Sequence, residues 1–208
     1  MNNESGRPVH AVIPLSVLES MQYLDSVSPG DSDEFRQEVA AKRLGTSSTV
    51  AMQIERFGRL ARRNMVVDRG EATALLRLAG RRTDAGLVFA DAGRRAARHA
   101  TGGVSPVARA FRRMLPGFAR RRYGMRLVRQ AVRRVLDIEL RGAEGQILGV
   151  AADAPSADAT SDGSSCALYG SAIAAILRSF TDFDGAVLHD TCRAKGAPDC
   201  RWHTASAS

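Results

Sequence analysis

The chain has 208 residues, of which 44% are hydrophobic and 25% are charged, and its formal net charge is +8 at pH 7. No apolar run approaches the roughly 18 residues that a membrane span requires, and the first residues lack the continuous apolar stretch of a secretory signal. The composition therefore excludes a membrane-spanning chain and indicates a globular protein. We expect a cytoplasmic location and no membrane span.

The first part of the chain, residues 1–64, is predicted to be mostly helical. Apolar residues recur every three or four positions from Leu15 to Leu24, and Ser28-Pro29-Gly30 ends this helix. Two further helices are predicted within residues 31–61. The stretch from Glu38 to Ile54 resembles the core of a helix-turn-helix. The N-terminal helices are therefore expected either to form a homodimer or to bind DNA.

The second part, residues 65–208, begins with helices and then changes to strands. Helical spacing covers three segments, which are Asp68 to Ala79, Asp84 to His99 and Phe118 to Val135. From Leu136 the apolar residues alternate, which predicts a hairpin that returns over Gln146 to Ala152. A polar loop is then expected over residues 153–164, followed by a helix (Cys166 to Phe180) and two strands (Gly185 to Thr191 and Arg201 to Ala205). The sequence thus predicts an α+β fold, a helical N-terminal region followed by an antiparallel sheet packed on helices.

Three cysteines and one histidine in the C-terminal part form a candidate metal site. They are Cys166, His189, Cys192 and Cys200, with His203 as the alternative to His189. Thiolates and imidazole are the ligands of closed tetrahedral zinc sites, which need four of them. An odd number of clustered cysteines does not fit a disulfide framework. The alternative interpretation is that the cysteines are buried as small hydrophobic residues.

The C-terminal motif resembles the signature of the 4-vinyl reductase domain family. The residues that carry this resemblance are a cysteine that opens a helix, Cys166, and the run Cys192-Arg-Ala-Lys-Gly196-Ala-Pro-Asp-Cys200-Arg-Trp202. The resemblance is strongest over residues 135–205 and weaker from about residue 85. The family includes sensor domains of phenol-responsive transcriptional activators and the accessory protein linked to 4-vinyl reduction in bacteriochlorophyll synthesis.

The resemblance implies a ligand set for the metal. Metal-binding members use a cysteine at the start of the last helix, an acidic residue three positions before the next cysteine, that cysteine, and one eight residues later. Cys166, Cys192 and Cys200 match these positions, whereas this chain has His189 at the acidic position. Imidazole also binds zinc, so we expect a structural zinc ion. The family fold further implies an apolar cavity, and the residues expected to line it here are Tyr169, Ile173, Leu177, Phe180 and Trp202.

These features predict a sensor or carrier for a small apolar or aromatic molecule, which could be a tetrapyrrole. Two alternatives remain open: a bacteriochlorophyll 4-vinyl reductase or tetrapyrrole-pathway accessory protein, and a DNA-binding transcriptional regulator with a sensor domain of this family. A Gly-x-Gly-x-x-Gly fingerprint is absent from the sequence, and a zinc ion with four protein ligands has no position for a reactive water. We therefore expect no catalytic residues, and a protein that is not an enzyme is favoured over the reductase alternative.

Overall fold

The structure is a computed structural model that describes residues 6–26, 48–103, 116–143 and 146–206. In these ranges the N-terminal region is helical, and the C-terminal region contains a four-stranded antiparallel sheet packed on helices, which confirms the α+β class. The elements in chain order are β1 (Val9–His10), α1 (Val12–Ser26), α2 (Ser48–Arg62), β2 (Val66–Val67), α3 (Arg69–Gly80), α4 (Ala85–Gly102), α5 (Gly117–Leu136), β3 (Glu139–Ala143), β4 (Gln146–Ala151), α6 (Pro155–Ala159), α7 (Ala167–Phe180), β5 (Gly185–Thr191) and β6 (Cys200–Ser206). Within the described ranges no helix is long and apolar enough to cross a membrane.

Most of the predicted helices and strands in the described ranges are confirmed, with small shifts of their ends. Asp68, predicted to begin a helix, caps α3, since its carboxylate accepts a hydrogen bond from the backbone N–H of Glu71 at 3.1 Å. Three predictions lie wholly or mostly outside the described residues. They are the helix expected over 31–45, most of the helix-turn-helix-like stretch over 38–54, and a helix that Ser105-Pro106 predicts to begin at residue 105, since proline fits the first turn.

Two segments differ from the sequence prediction. The strand expected from Leu136 begins at Glu139, because Asp137 adopts a left-handed backbone (φ 52°) that ends α5. The polar loop expected over residues 153–164 is wrong in part, since α6 lies within it. Pro155 fits the first turn of a helix, and the small side chains that follow it are buried against α3.

The strand order of the sheet is β3-β4-β6-β5, and all neighbouring strands are antiparallel. In the register, Leu140 lies opposite Gly149, Gly149 opposite Trp202, and Trp202 opposite His189. Opposite residues in antiparallel strands share a face, so this row crosses the face covered by α7. A Cβ at Gly149 would lie 3.4 Å from Ile173 of α7, so the glycine leaves room for the helix.

Helix α7 is buried between the sheet and α4. At Gly93 of α4, a Cβ would lie 2.3 Å from the carbonyl oxygen of Leu168 and 2.6 Å from the Cβ of Ser171. Only glycine therefore allows the two helices to approach this closely. The contact face of α4 is otherwise largely made of small buried residues, namely Ala85, Ala92, Ala96, Ala97 and Ala100. This close packing fixes the first turn of α7 and with it the position of Cys166.

Helix α1 also packs on α4, and its apolar residues belong to the same buried cluster as those of α7. The Ser20 hydroxyl donates a hydrogen bond to the carbonyl of Val88 at 3.0 Å, and Arg82 forms an ion pair with the buried Asp25 at 2.7 Å. The core thus extends across residue 64. The division of the chain into residues 1–64 and 65–208 stays a prediction that a truncation would test.

Candidate metal centre

The four predicted ligands of the metal come together at one end of the sheet. Each offers one ligand atom, and the ligand atoms of Cys166, His189, Cys192 and Cys200 all lie within 4.8 Å of one another. The three cysteines are buried, with exposed fractions of 0%, 5% and 0% in chain order, whereas His189 is exposed. Thiol groups in this number and this proximity can hold a metal ion.

A bulge in β5 brings His189 and Cys192 to the same side of the sheet. These residues are three apart, and regular alternation would place them on opposite faces. The register shifts between His189, which lies opposite Trp202, and Thr191, which lies opposite Arg201, so Asp190 is the extra residue. Because of this extra residue, the Thr191 side chain lies on the face opposite to Trp202. Cys192 follows in an extended conformation, so its side chain lies on the same face as Trp202 and His189. The bulge therefore assembles the site.

The spacing of the sulfur atoms fits a metal with thiolate ligands. The Sγ atoms of Cys166 and Cys192 are 3.7 Å apart. Two thiolates on one tetrahedral zinc ion lie about 3.8 Å apart, since each Zn–S bond is about 2.3 Å long. Gly163 provides the room, because a Cβ there would lie 2.7 Å from the Sγ of Cys192. Its φ of +73° also favours glycine.

Cys166 is held by hydrogen bonds from the segment around α6. Its Sγ lies 3.2 Å from the buried Ser156 hydroxyl. The Ser165 hydroxyl donates to the carbonyl of Ser156 at 2.7 Å and lies 2.8 Å from the Thr160 hydroxyl. Because these groups are interlinked and buried, they fix the start of α7 and the direction of the Cys166 side chain.

Hydrogen bonding within the cluster makes one thiol much more acidic than another. The pKa of Cys200 is held below its ordinary value chiefly by a hydrogen bond with Cys166, and His189 and the backbone N–H of Arg193 act in the same direction. That N–H donates to the Cys200 Sγ at 3.4 Å. The pKa of Cys166 is raised by the same interaction and by burial. A thiol whose pKa is lowered in this way is readily deprotonated, and the thiolate is the form of cysteine that binds a metal.

His203, the alternative fourth ligand, lies outside the cluster. Its Nδ1 is 2.6 Å from the carboxylate of Asp190, the bulge residue. His203 follows Trp202 in β6 and therefore faces the other side of the sheet. The structure thus brings His189, not His203, together with the three cysteines.

The five residues predicted to bind the small molecule are all buried, with exposed fractions of 2% or less: Tyr169, Ile173, Leu177, Phe180 and Trp202. The rings of Tyr169 and Trp202 have centroids 5.8 Å apart, and Tyr169 also lines a cavity of about 300 Å³. Among the described residues, the indole N–H of Trp202 has no hydrogen-bond acceptor. All five also belong to the hydrophobic core. Their role in ligand binding stays a prediction.

An ionic network that the sequence did not predict lies next to the Cys₃His cluster. Asp153 accepts a hydrogen bond from Arg193 at 3.1 Å and forms an ion pair with Arg69 at 2.9 Å. Arg69 also pairs with Asp158 and is largely buried. The network ties the loop after Cys192 to the start of α3. No local pattern marks these residues, because they are far apart in the sequence.

Comparison of the chain with family models, with curated proteins and with solved structures found no match. The structure therefore defines an α+β protein with a Cys₃His cluster that can hold a metal ion. The resemblance to the 4-vinyl reductase domain family stays a prediction.

Proposed function

We propose that this protein is a zinc-stapled small-molecule-binding protein of the 4-vinyl-reductase domain type, acting as a sensor or carrier. The observation that carries the proposal is the convergence of four ligand atoms, from Cys166, His189, Cys192 and Cys200, within 4.8 Å. The spacing of the cysteines in the sequence and the four-stranded sheet packed on helices are compatible with the family assignment.

The chemistry of the ligands favours zinc in a structural role. Three thiolates and an imidazole suit zinc far better than magnesium or calcium, which prefer oxygen ligands. Four protein ligands leave no position for a metal-bound water, so hydrolytic metal chemistry is disfavoured. The metal would join Cys166, at the start of α7, to the segment between β5 and β6. It would therefore fasten the edge of the sheet to the central helix.

One feature supports the binding of a small molecule. Tyr169, three residues after Cys166, lines the cavity of about 300 Å³, which is at the lower end of the usual size range of ligand sites. The buried N–H of Trp202 has no acceptor among the described residues, but Trp202 does not line this cavity. An apolar or aromatic ligand would suit the cavity.

The structural role of the metal is tested by reversible chelation. Thermal unfolding is followed before chelation, after a strong chelator has been added and dialysed away, and after one equivalent of zinc is returned. Because metal binding is coupled to folding, we expect the melting temperature to fall on chelation and to recover with zinc but not with magnesium. An unchanged melting temperature after complete metal removal would contradict the structural role.

A further inference from the structure

A cavity lies near the Cys₃His cluster, on the N-terminal side of α7. The cavity of about 300 Å³ is formed by β1, the start of α1, the end of α5 and the segment that leads into α6. It is connected to the metal cluster through Asp153, which lines it and accepts a hydrogen bond from Arg193. Arg193 in turn donates its backbone N–H to Cys200.

The inner wall of the cavity is apolar and buried. It includes Val9, Ile13, Val135, Leu136, Ala154 and Tyr169. His10, which also lines the cavity, already has hydrogen-bond partners. The His10 ring lies 3.2 Å from Asn64 and accepts a hydrogen bond from the backbone N–H of Val12, and burial lowers the pKa of His10, so the imidazole is neutral at neutral pH. The wall therefore suits the uncharged body of an organic molecule.

The rim of the cavity is positively charged. Three exposed arginines, Arg7, Arg133 and Arg134, lie there with the carboxylate of Asp137. The cavity is also lined by Arg69 and Asp153, which form an ion pair with each other. Arg7 is 3.6 Å from Asp137, and Arg134 donates to the carbonyl of Ala100. Among the described residues no carboxylate lies within ion-pair distance of Arg133. A guanidinium beside an apolar cavity is a ready partner for a carboxylate.

We propose that this cavity binds a small organic acid, with its apolar body against Ile13 and Tyr169 and its carboxylate at Arg133. The inference rests on the proposed small-molecule function and narrows it to one class of ligand. It also extends the set of ligand-binding residues to the N-terminal strand β1 and to the end of α5.

The charge requirement is tested with two probes of the same shape, naphthalene carboxylate and naphthalene carboxamide. Their binding to the full chain is measured by isothermal titration calorimetry. We expect the carboxylate to bind more tightly than the amide. Arg133→Gln should weaken carboxylate binding about tenfold and leave amide binding unchanged, because a charge-assisted hydrogen bond is lost. Arg129→Gln, one turn earlier on α5 and outside the cavity, is the matched control and should change neither.

The location of the binding site is tested by substitutions that partly fill the cavity from its rim. Val66, which lines the cavity, and Met65, which does not, are both half-exposed neighbours. Val66→Trp should weaken carboxylate binding at least tenfold, whereas Met65→Trp should leave it unchanged. Equal effects of the two variants on carboxylate binding would contradict the assignment of the binding site to this cavity.

The remaining outcomes separate this inference from the proposed function, provided that the metal content is measured in every sample. Equal binding of the amide and the carboxylate would overturn the acid class while leaving small-molecule binding intact. Binding of neither probe to fully metal-loaded protein would overturn the cavity as a ligand site and leave only the metal role. A wild-type protein that is purified without metal and still binds the carboxylate would contradict the structural role of zinc and leave the cavity assignment standing.

Discussion

The imidazole of His189 stacks on the indole of Trp202, with ring centroids 5.1 Å apart and ring planes 16° apart. Trp202 is the single tryptophan of the chain and is 1% exposed. The tryptophan fluorescence of the protein therefore reports only on the surroundings of Trp202, which include the candidate metal ligand His189.

Removal of the metal should change the fluorescence of Trp202. Without a metal, the His189 ring is free to leave the indole, and the edge of the sheet loosens. We expect chelation to shift the emission and to increase quenching by acrylamide, and we expect added zinc to reverse both changes. The control is Cys200→Ser, which should be metal-free, so that the chelator has no effect on it. Emission and quenching that stay constant while the metal is lost would show that His189 is not a ligand.

Substitution of the two histidines should distinguish their roles. His189→Ala should lower the zinc affinity at least about 100-fold. Loss of a residue that only hydrogen-bonds to a metal ligand already lowers metal affinity about 10–100-fold, and loss of the ligand itself should lower it more. His189→Glu should keep the zinc, because a carboxylate is also a zinc ligand. His203→Ala is the matched control and should bind zinc like the wild type, because His203 contacts Asp190 on the other face. The affinities are measured by competition with a chromogenic chelator, and a larger loss in His203→Ala would reverse the assignment.

Deletion of Asp190 should abolish metal binding although it removes no ligand. The deletion removes the bulge, so the alternation along β5 would place His189 and Cys192 on opposite faces. Asp190→Ala keeps the extra residue and should keep the metal. Zinc content and circular dichroism are compared for the two variants. A full zinc content in the deletion variant would show that the bulge does not assemble the site.

Alanine at Gly163 should disturb the site more than alanine at Gly196. Both glycines have positive φ, +73° and +89°, so each substitution should cost about 1 kcal/mol of backbone strain. At Gly196 a Cβ would meet nothing within 4 Å, whereas at Gly163 it would lie 2.7 Å from the Cys192 Sγ. We therefore expect Gly163→Ala, but not Gly196→Ala, to weaken zinc binding at least about tenfold. Equal zinc affinities would contradict the steric role of Gly163.

The sequence was sufficient to predict the α+β class and the membership of the metal cluster. Thiol groups are few in this chain, so their chemistry indicated which cysteines would meet, whereas the choice of His189 over His203 came from the structure. Helix α5, whose apolar residues repeat on one face, was also predicted, because burial of one helix face dominates the stability of such a helix.

The local geometry of the site could not be predicted in the same way. Regular alternation over β5 separates His189 from Cys192, and only the pairing with β6 reveals the bulge at Asp190. Helix α6 was predicted as a loop, since it is a single short turn within a polar segment and is held by packing against α3. The partnership of Asp153 with Arg69 joins residues 84 positions apart, which no local pattern indicates.

The metal content of the purified protein tests the central claim most directly. The full chain is prepared without chelators, and native mass spectrometry is combined with elemental analysis. Three thiolates and one imidazole should retain one zinc ion per chain, and Cys192→Ser should retain none. Far less than one zinc or comparable metal ion per wild-type chain would mean that Cys166, Cys192 and Cys200 are three buried thiols and not a metal centre.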